Sequence, residues 1–160
     1  MRRSLIFSTK DIREKGGLQF ARTAAIEAFL DDPDAGQSAR GLLGESYSSG
    51  TCTVNLEFSV GGENILLEGS VRGSAVLECS RCLARAPVDF EGRLDELFSV
   101  ALGTIDAAEQ VRQALVLSVP GKPLCSPACR GLCVRCGEDL NQGPCRCCRK
   151  PPPGGGAQES

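Results

Sequence analysis

The cysteines between positions 125 and 148 constrain this chain more than any other feature. They run Cys125-x3-Cys129-x3-Cys133-x2-Cys136-Gly137, then Cys145-x-Cys147-Cys148. The same stretch is poor in apolar residues, and Leu124, Leu132, Val134 and Leu140 are most of them. Such a segment needs another source of folding free energy, and metal ligation supplies one. The chain has no histidine, so its soft ligands are thiolates, of which zinc takes about four in a tetrahedron.

Cys133-Val134-Arg135-Cys136-Gly137 has the form of a zinc knuckle. Two residues between the thiolates let both sulfurs meet one ion, and Gly137 leaves room for backbone amides to point at sulfur. The candidate ligands are Cys125, Cys129, Cys133, Cys136, Cys145 and Cys147. Cys133 and Cys136 form one expected pair; the other draws on Cys125 or Cys129 with Cys145 or Cys147. Cys148 is the poorest candidate. One zinc is expected and two are allowed. Labile thiols in a loose tail and iron–sulfur ligation are the competing readings.

A second pair, Cys79-Ser80-Arg81-Cys82, closes a strand-like run. It reads as two ligands for another metal, as a structural turn, or as a redox pair. Cys52 lies on an apolar strand face and reads as a small buried hydrophobe.

The rest of the chain is a β-rich body. Cys52, Val54, Leu56, Phe58 and Val60 alternate with Thr51, Thr53, Asn55, Glu57 and Ser59, the period of a half-buried strand. Gly61 to Asn64 is a turn, Ile65 to Arg72 alternates again, and Gly73–Ser74 reads as the next turn. Ala75, Leu77 and Cys79 begin a third strand, and Val88, Phe90 and Leu94 a fourth beyond Pro87. Asp106 to Val119 changes to helical period, with Asp106 and Glu109 as a capping box and Pro120 as the stop.

Earlier, Ser4 to Ser8 suits a short strand and Asp11 to Gly17 a turn. Phe20 to Leu30 suits a short helix by propensity, with a strand over part of Leu18 to Ile26 as the alternative. Residues 35–50 read as a loop. The fold class is therefore α+β: a small antiparallel meander or partly open barrel, a helix packed near 106–119, and a knuckle-like tail. The organisation is a body over 1–120, a cysteine-rich metal-binding appendage over 121–150 and a disordered tail over 151–160.

Composition narrows the function. Of 160 residues, 41% are hydrophobic but only 4% aromatic, so the core is aliphatic; the net charge is −2. No phosphate-cradling loop or dinucleotide fingerprint is present, and without histidine there is no triad. No enzyme and no small-molecule substrate are expected. Leu5 to Phe7 is too short for a signal peptide, and no stretch approaches the roughly 20 apolar residues of a spanning helix. A cytoplasmic location follows as the expectation, with reduced thiols and no membrane partner. Six basic residues stand against two acidic ones over 122–150. Arg130, Arg135 and Arg146 there, with Arg72, Arg81 and Arg85 around the second pair, are the candidate RNA or partner contacts. Equally, such arginines neutralise thiolates.

Two fragments carry a family resemblance. Cys79-Ser80-Arg81-Cys82-Leu83, after Gly69-Ser70-Val71, resembles one signature of the YceD-like family, the large ribosomal RNA subunit accumulation proteins. Leu115 to Pro120, then Leu124 to Cys133, Gly137-Glu138-Asp139-Leu140-Asn141 and Cys145-Arg146-Cys147, is similar to the second signature in its cysteine-bearing branch. The stretch from Phe98 to Asp106 is shorter than in many relatives. The resemblance implies a non-enzymatic role in large-subunit assembly or rRNA accumulation and processing, with large-subunit rRNA, a ribosome precursor or a ribosomal protein as partner. A zinc-stabilised protein–protein adaptor is the alternative, and a thiol redox or metal-delivery protein the third reading.

Overall fold

The computed structural model describes residues 5–32 and 36–149, except the side chains of Cys148 and Arg149. The expected tail over 151–160 lies outside the described residues. Four antiparallel strands form the main sheet in sequential order: β2 (Gly17–Ala25), β3 (Tyr47–Gly61), β4 (Asn64–Glu78) and β5 (Arg85–Ser99). A small antiparallel pair joins β1 (Ile6–Ser8) to β6 (Thr104–Asp106). The helices are α1 (Thr9–Lys15), α2 (Glu27–Leu30), α3 (Ala39–Leu43), α4 (Ala108–Ser118) and α5 (Arg146–Arg149). The class is α+β with open sheets.

Alternation sets the core. Cys52, Val54, Leu56 and Phe58 on β3 meet Ile65, Leu67, Val71, Ala75 and Leu77 on β4, all nearly inaccessible to solvent. Full burial of each large aliphatic side chain contributes about 1.5–3 kcal/mol. Phe7 joins them, its ring 4.6 Å from Phe58 and 5.4 Å from Phe20. The helix α4 lays Val111, Ala114 and Leu115 onto the same apolar cluster. It comes close at Gly92 of β5, where a Cβ would stand 2.9 Å from Ser118 Cβ and 3.0 Å from the Ala114 carbonyl oxygen.

Several local expectations change. Gly73–Ser74 is no turn; β4 runs through it in register with Thr51, Cys52 and β5. Gly73 is there because the neighbouring strand comes too near for a side chain: a Cβ would lie 2.1 Å from the Thr51 carbonyl oxygen. The third expected strand is the end of β4, and β5 includes Pro87. Val60 is 36% exposed, leaving the inner face. Residues 17–25 take the strand alternative, and a helix survives only at Glu27–Leu30.

Asp11 to Gly17 is largely helical. Ser8 caps α1 by accepting from the Asp11 amide at 3.3 Å, and Gly16 ends it in the left-handed region. The stretch read as a loop carries α3 and the start of β3. Before α4, the N-cap is Ala107, and Asp106 ends β6 while accepting from the Ala108 amide at 2.9 Å. Glu109 turns instead to Arg112 and Gln113, so the two-way capping box does not form.

The close approach at Gly73 makes a direct prediction. Gly73→Ala should lower stability by about 1–3 kcal/mol, the usual cost of overpacking. Gly61→Ala, where a Cβ meets nothing within 4 Å, should cost less than half as much. Urea unfolding of both variants measures the difference; equal midpoints would contradict the packing account.

Candidate metal centres

The turn between β4 and β5 is the first cysteine pair. Cys79 donates its amide to the Ala84 carbonyl at 2.9 Å, extending the ladder by one rung beyond Glu78 and Arg85. Leu83 donates to the Cys79 carbonyl at 3.0 Å. Leu83 itself has φ 60, the only positive value at a non-glycine among the described residues.

The C-terminal segment folds back over this turn. Ser80 donates through both its amide and its hydroxyl to the Pro123 carbonyl, each at 2.9 Å. Leu132 donates to the Arg81 carbonyl at 3.1 Å, and Arg81 Nη1 donates to the Cys129 carbonyl at 3.0 Å. Leu124 and Leu132 pack against Cys79, Cys82 and Cys129. Cys125 and Cys129 thereby reach the first pair.

Cys79, Cys82, Cys125 and Cys129 form one group, and Cys133, Cys136, Cys145 and Cys147 form another; within each, all four sulfurs lie within 4.8 Å of one another. In the first, Cys79 is 3.8 Å from Cys129 and Cys82 is 3.6 Å from Cys125. In the second, Cys133 is 3.4 Å and Cys145 3.2 Å from Cys147. A tetrahedron with metal–sulfur bonds of about 2.3 Å has edges of about 3.8 Å. Both groups fit a four-thiolate ion of that size with little movement.

The expected pairing is corrected here. Cys133 and Cys136 do pair, but with Cys145 and Cys147 together, while Cys125 and Cys129 both turn to Cys79 and Cys82. Cys79 and Cys82 are a ligand pair for a second site, as one of their readings allows, but they share it with Cys125 and Cys129, because the β4–β5 turn delivers them from more than forty residues away.

Amides tune the sulfurs. Those of Cys82, Arg81 and Cys125 hold the Cys79 thiol down at about 6. Those of Arg135 and Cys136, then the Cys147 and Cys145 thiols, hold Cys133 at about 6. Conversely, the Cys129 and Cys82 thiols, with burial, push Cys125 up to about 12. Each group thus has one sulfur poised to ionise first. Away from both groups, burial raises Cys52 to about 11, with Glu27 adding to it, consistent with a core residue.

The Cys133–Gly137 loop is closed by the Gly137 amide on the Cys133 carbonyl and the Cys133 amide on the Glu138 carbonyl, both 2.8 Å. Asn141 ties the loop after the second knuckle to the first group. Its amide side chain donates to Cys129 Sγ at 3.4 Å, and its Oδ1 accepts from the Arg130 amide at 2.8 Å. The sequence reading placed Asn141 in the second signature without a role; its signal was a polar residue two places after Asp139 in a loop bracketed by cysteines, and Asp139 Oδ1 accepts from the Asn141 backbone amide at 2.9 Å.

The six arginines do not form one surface of free cations. Arg72 pairs with Glu91 across β4 and β5 at 3.0 Å. Arg146 pairs with Glu138 at 2.7 Å. Arg81 holds Cys129, and Arg85 donates to Ser48. Arg130 and Arg135 are exposed on the cysteine module.

Ligand substitution tests the grouping. Cys82→Ser and Cys125→Ser should each remove the same single metal, and Cys145→Ser the other, as counted by native mass spectrometry of the full chain. Loss of the same metal in Cys125→Ser and Cys145→Ser would contradict the grouping. Acid should act in a stated direction. The Cys79 and Cys133 values are lowered, so their thiolates persist until pH falls through about 6. Metal should therefore be retained down to at least about pH 6 and be released by acid only below it, because a bound cation holds the thiolates further against protonation.

Residues 91–154 match the model of the family described as large ribosomal RNA subunit accumulation protein YceD. An uncharacterized protein of Mycobacterium leprae is 30% identical over 106 residues, covering 54% of this chain and 49% of its own length. One of Mycobacterium tuberculosis strain H37Rv is 32% identical over 99 residues, covering 51% and 48%. The chloroplastic large ribosomal RNA subunit accumulation protein YCED homolog 1 of Arabidopsis thaliana is 32% identical over 63 residues, covering 39% and 19%. The chain spans about half the length of the first of these relatives, and no solved structure matches at a significant level. The matched segment holds α4 and six of the eight grouped cysteines, and over it this chain is similar to the large ribosomal RNA subunit accumulation protein family.

Proposed function

We propose that this chain is a non-enzymatic factor in large ribosomal subunit assembly, supporting accumulation or processing of large-subunit rRNA by docking on a ribosome precursor. The observation that carries this reading is the pair of four-cysteine groups. Each offers a complete thiolate set, which suits a structural ion, whereas a catalytic metal keeps a position open. Zinc is the ion that suits four thiolates without redox chemistry, and two per chain match the two groups. A reducing cytoplasm keeps such thiols available.

Charge decides how the module meets its partner. A divalent ion with four thiolates carries about −2. Two such sites offset the basic excess of residues 122–149, so the loaded module is close to neutral. Contact with rRNA then runs through a few placed arginines, Arg130 and Arg135 foremost, rather than a broad basic surface. A slope of about −0.9 per phosphate gives a log K against log salt slope near −2. The second reading, a zinc-stabilised adaptor docking on a ribosomal protein, is favoured by the exposed aliphatic side chains of the two knuckles.

Zinc-loaded protein should sediment with large-subunit precursors in cell extract, and cells depleted of it should accumulate less mature large-subunit rRNA relative to small-subunit rRNA. Sedimentation only as free protein would remove this reading. A steep salt slope, beyond about −5, would replace placed contacts with a general phosphate interaction.

A further inference from the structure

The two knuckles solve one backbone problem differently. The residue after the second cysteine is left-handed in both: Leu83 has φ 60 and Gly137 has φ 73. Glycine takes that conformation without steric cost, whereas a side chain brings its Cβ against the carbonyl. Leucine at 83 is therefore retained against a local penalty. Strain of this kind needs a return elsewhere.

The fold does not supply that return. Leu83 is 56% exposed and stands outside the apolar cluster that Leu124 and Leu132 form with Cys79, Cys82 and Cys129. On the second knuckle Val134 is 101% exposed. The strained leucine is held out to solvent by a turn tied on one side to the sheet ladder and on the other to Pro123 and Leu132. It is a rigid aliphatic projection.

We propose that Leu83 is a docking anchor that inserts into an apolar pocket, rimmed by carboxylates, on a protein component of the ribosome precursor. This rests on the assembly reading above and names its contact. Charge complementarity argues for the rim. Arg81 and Arg85 flank Leu83, both exposed, and both guanidinium groups are already positioned, by the Cys129 carbonyl and by Ser48. Preorganised cations beside an aliphatic anchor fit an acidic-rimmed protein pocket. An RNA base fits less well. Unpaired bases are held chiefly on aromatic faces or stacked guanidinium planes, and residues 79–84 and 99–149 contain no Phe, Tyr or Trp.

The test uses full-length, zinc-loaded protein and purified large-subunit precursor particles, with the bound fraction read by sedimentation across a titration. Leu83→Gly removes the side chain and relieves the backbone, so its melting temperature should hold or rise while its affinity falls about tenfold or more, the equivalent of losing one buried leucine. Leu117→Ser, at another exposed leucine on α4, should bind as the wild type does. A photoreactive phenylalanine analogue at position 83 should crosslink to a large-subunit ribosomal protein. Wild-type binding with undiminished Leu83→Gly binding overturns the anchor, and crosslinking to nucleotides overturns the protein pocket. Absence of wild-type binding overturns the assembly reading itself, a result distinct from either.

Discussion

Four sulfurs held within 4.8 Å of one another are the constraint on which the C-terminal half depends. As thiolates they repel; as thiols they bury weak donors with little to receive them. A cation resolves both. Among the described residues, the segment after α4 has hydrogen bonds and a few leucines but no extended apolar face, and its apolar cluster is the one built around Cys79, Cys82 and Cys129. The first group also joins chain segments that secondary structure alone would leave apart, because two of its ligands belong to the β4–β5 turn and two to the segment beyond α4. A cation held at that group would therefore act as a tertiary contact between the sheet and the module. The second group is local, with Cys136 exposed and Cys147 half-buried, and depends on the first for its placement through Leu132, Cys133 and Asn141.

What the sequence made legible was whatever has a short period. Alternation over Thr51 to Val60 and again from Ile65 placed β3 and β4, because burial of one sheet face writes itself into every second residue. The change of period after Asp106 placed α4 within two residues. The chemistry of the cysteines was legible too, since ten thiols with no histidine leave few alternatives. Their partition was not. Spacing says which sulfurs can share an ion locally, and it says nothing of a pair brought in by a hairpin end. The turn at Cys79 was legible only as one of three readings: Cys79 to Ala84 contains no Gly, Pro, Asn or Asp and only Ser80 among the usual marks of a turn, because hydrogen bonds to sulfur and to Pro123 support it.

Glycine was misread for a related reason. Gly73 is a turn residue by propensity, yet it serves as a point of contact between backbones, with the Thr51 carbonyl where a side chain would be. Gly50 and Gly69 sit on the same pair of strands under similar restrictions, a Cβ at Gly50 falling 2.5 Å from Ile26 Cδ1 and at Gly69 2.7 Å from the Asn55 carbonyl oxygen. Propensity reports what a residue permits; only packing reports which permission is used. Seq-local rules also missed α1, whose seven residues bury only Thr9 and Ile12 and so leave almost no periodic trace.

The long strands give these glycines a functional consequence. β3, β4 and β5 are each fifteen residues, and a strand advances about 3.3 Å per residue, so β4 separates its two turns by roughly 45–50 Å of path. One end of β4 is the Gly61–Asn64 turn, free of ligands; the other is the cysteine turn with Leu83 at its edge. A shorter or broken β4, as a turn at Gly73 would have made it, would uncouple that edge from the core. Continuity through Gly73 instead fixes the knuckle to the apolar sheet, and the cysteine-rich segment then locks its other side through Pro123 and Leu132. The projection of Leu83 is rigid because both supports act on the same six-residue turn.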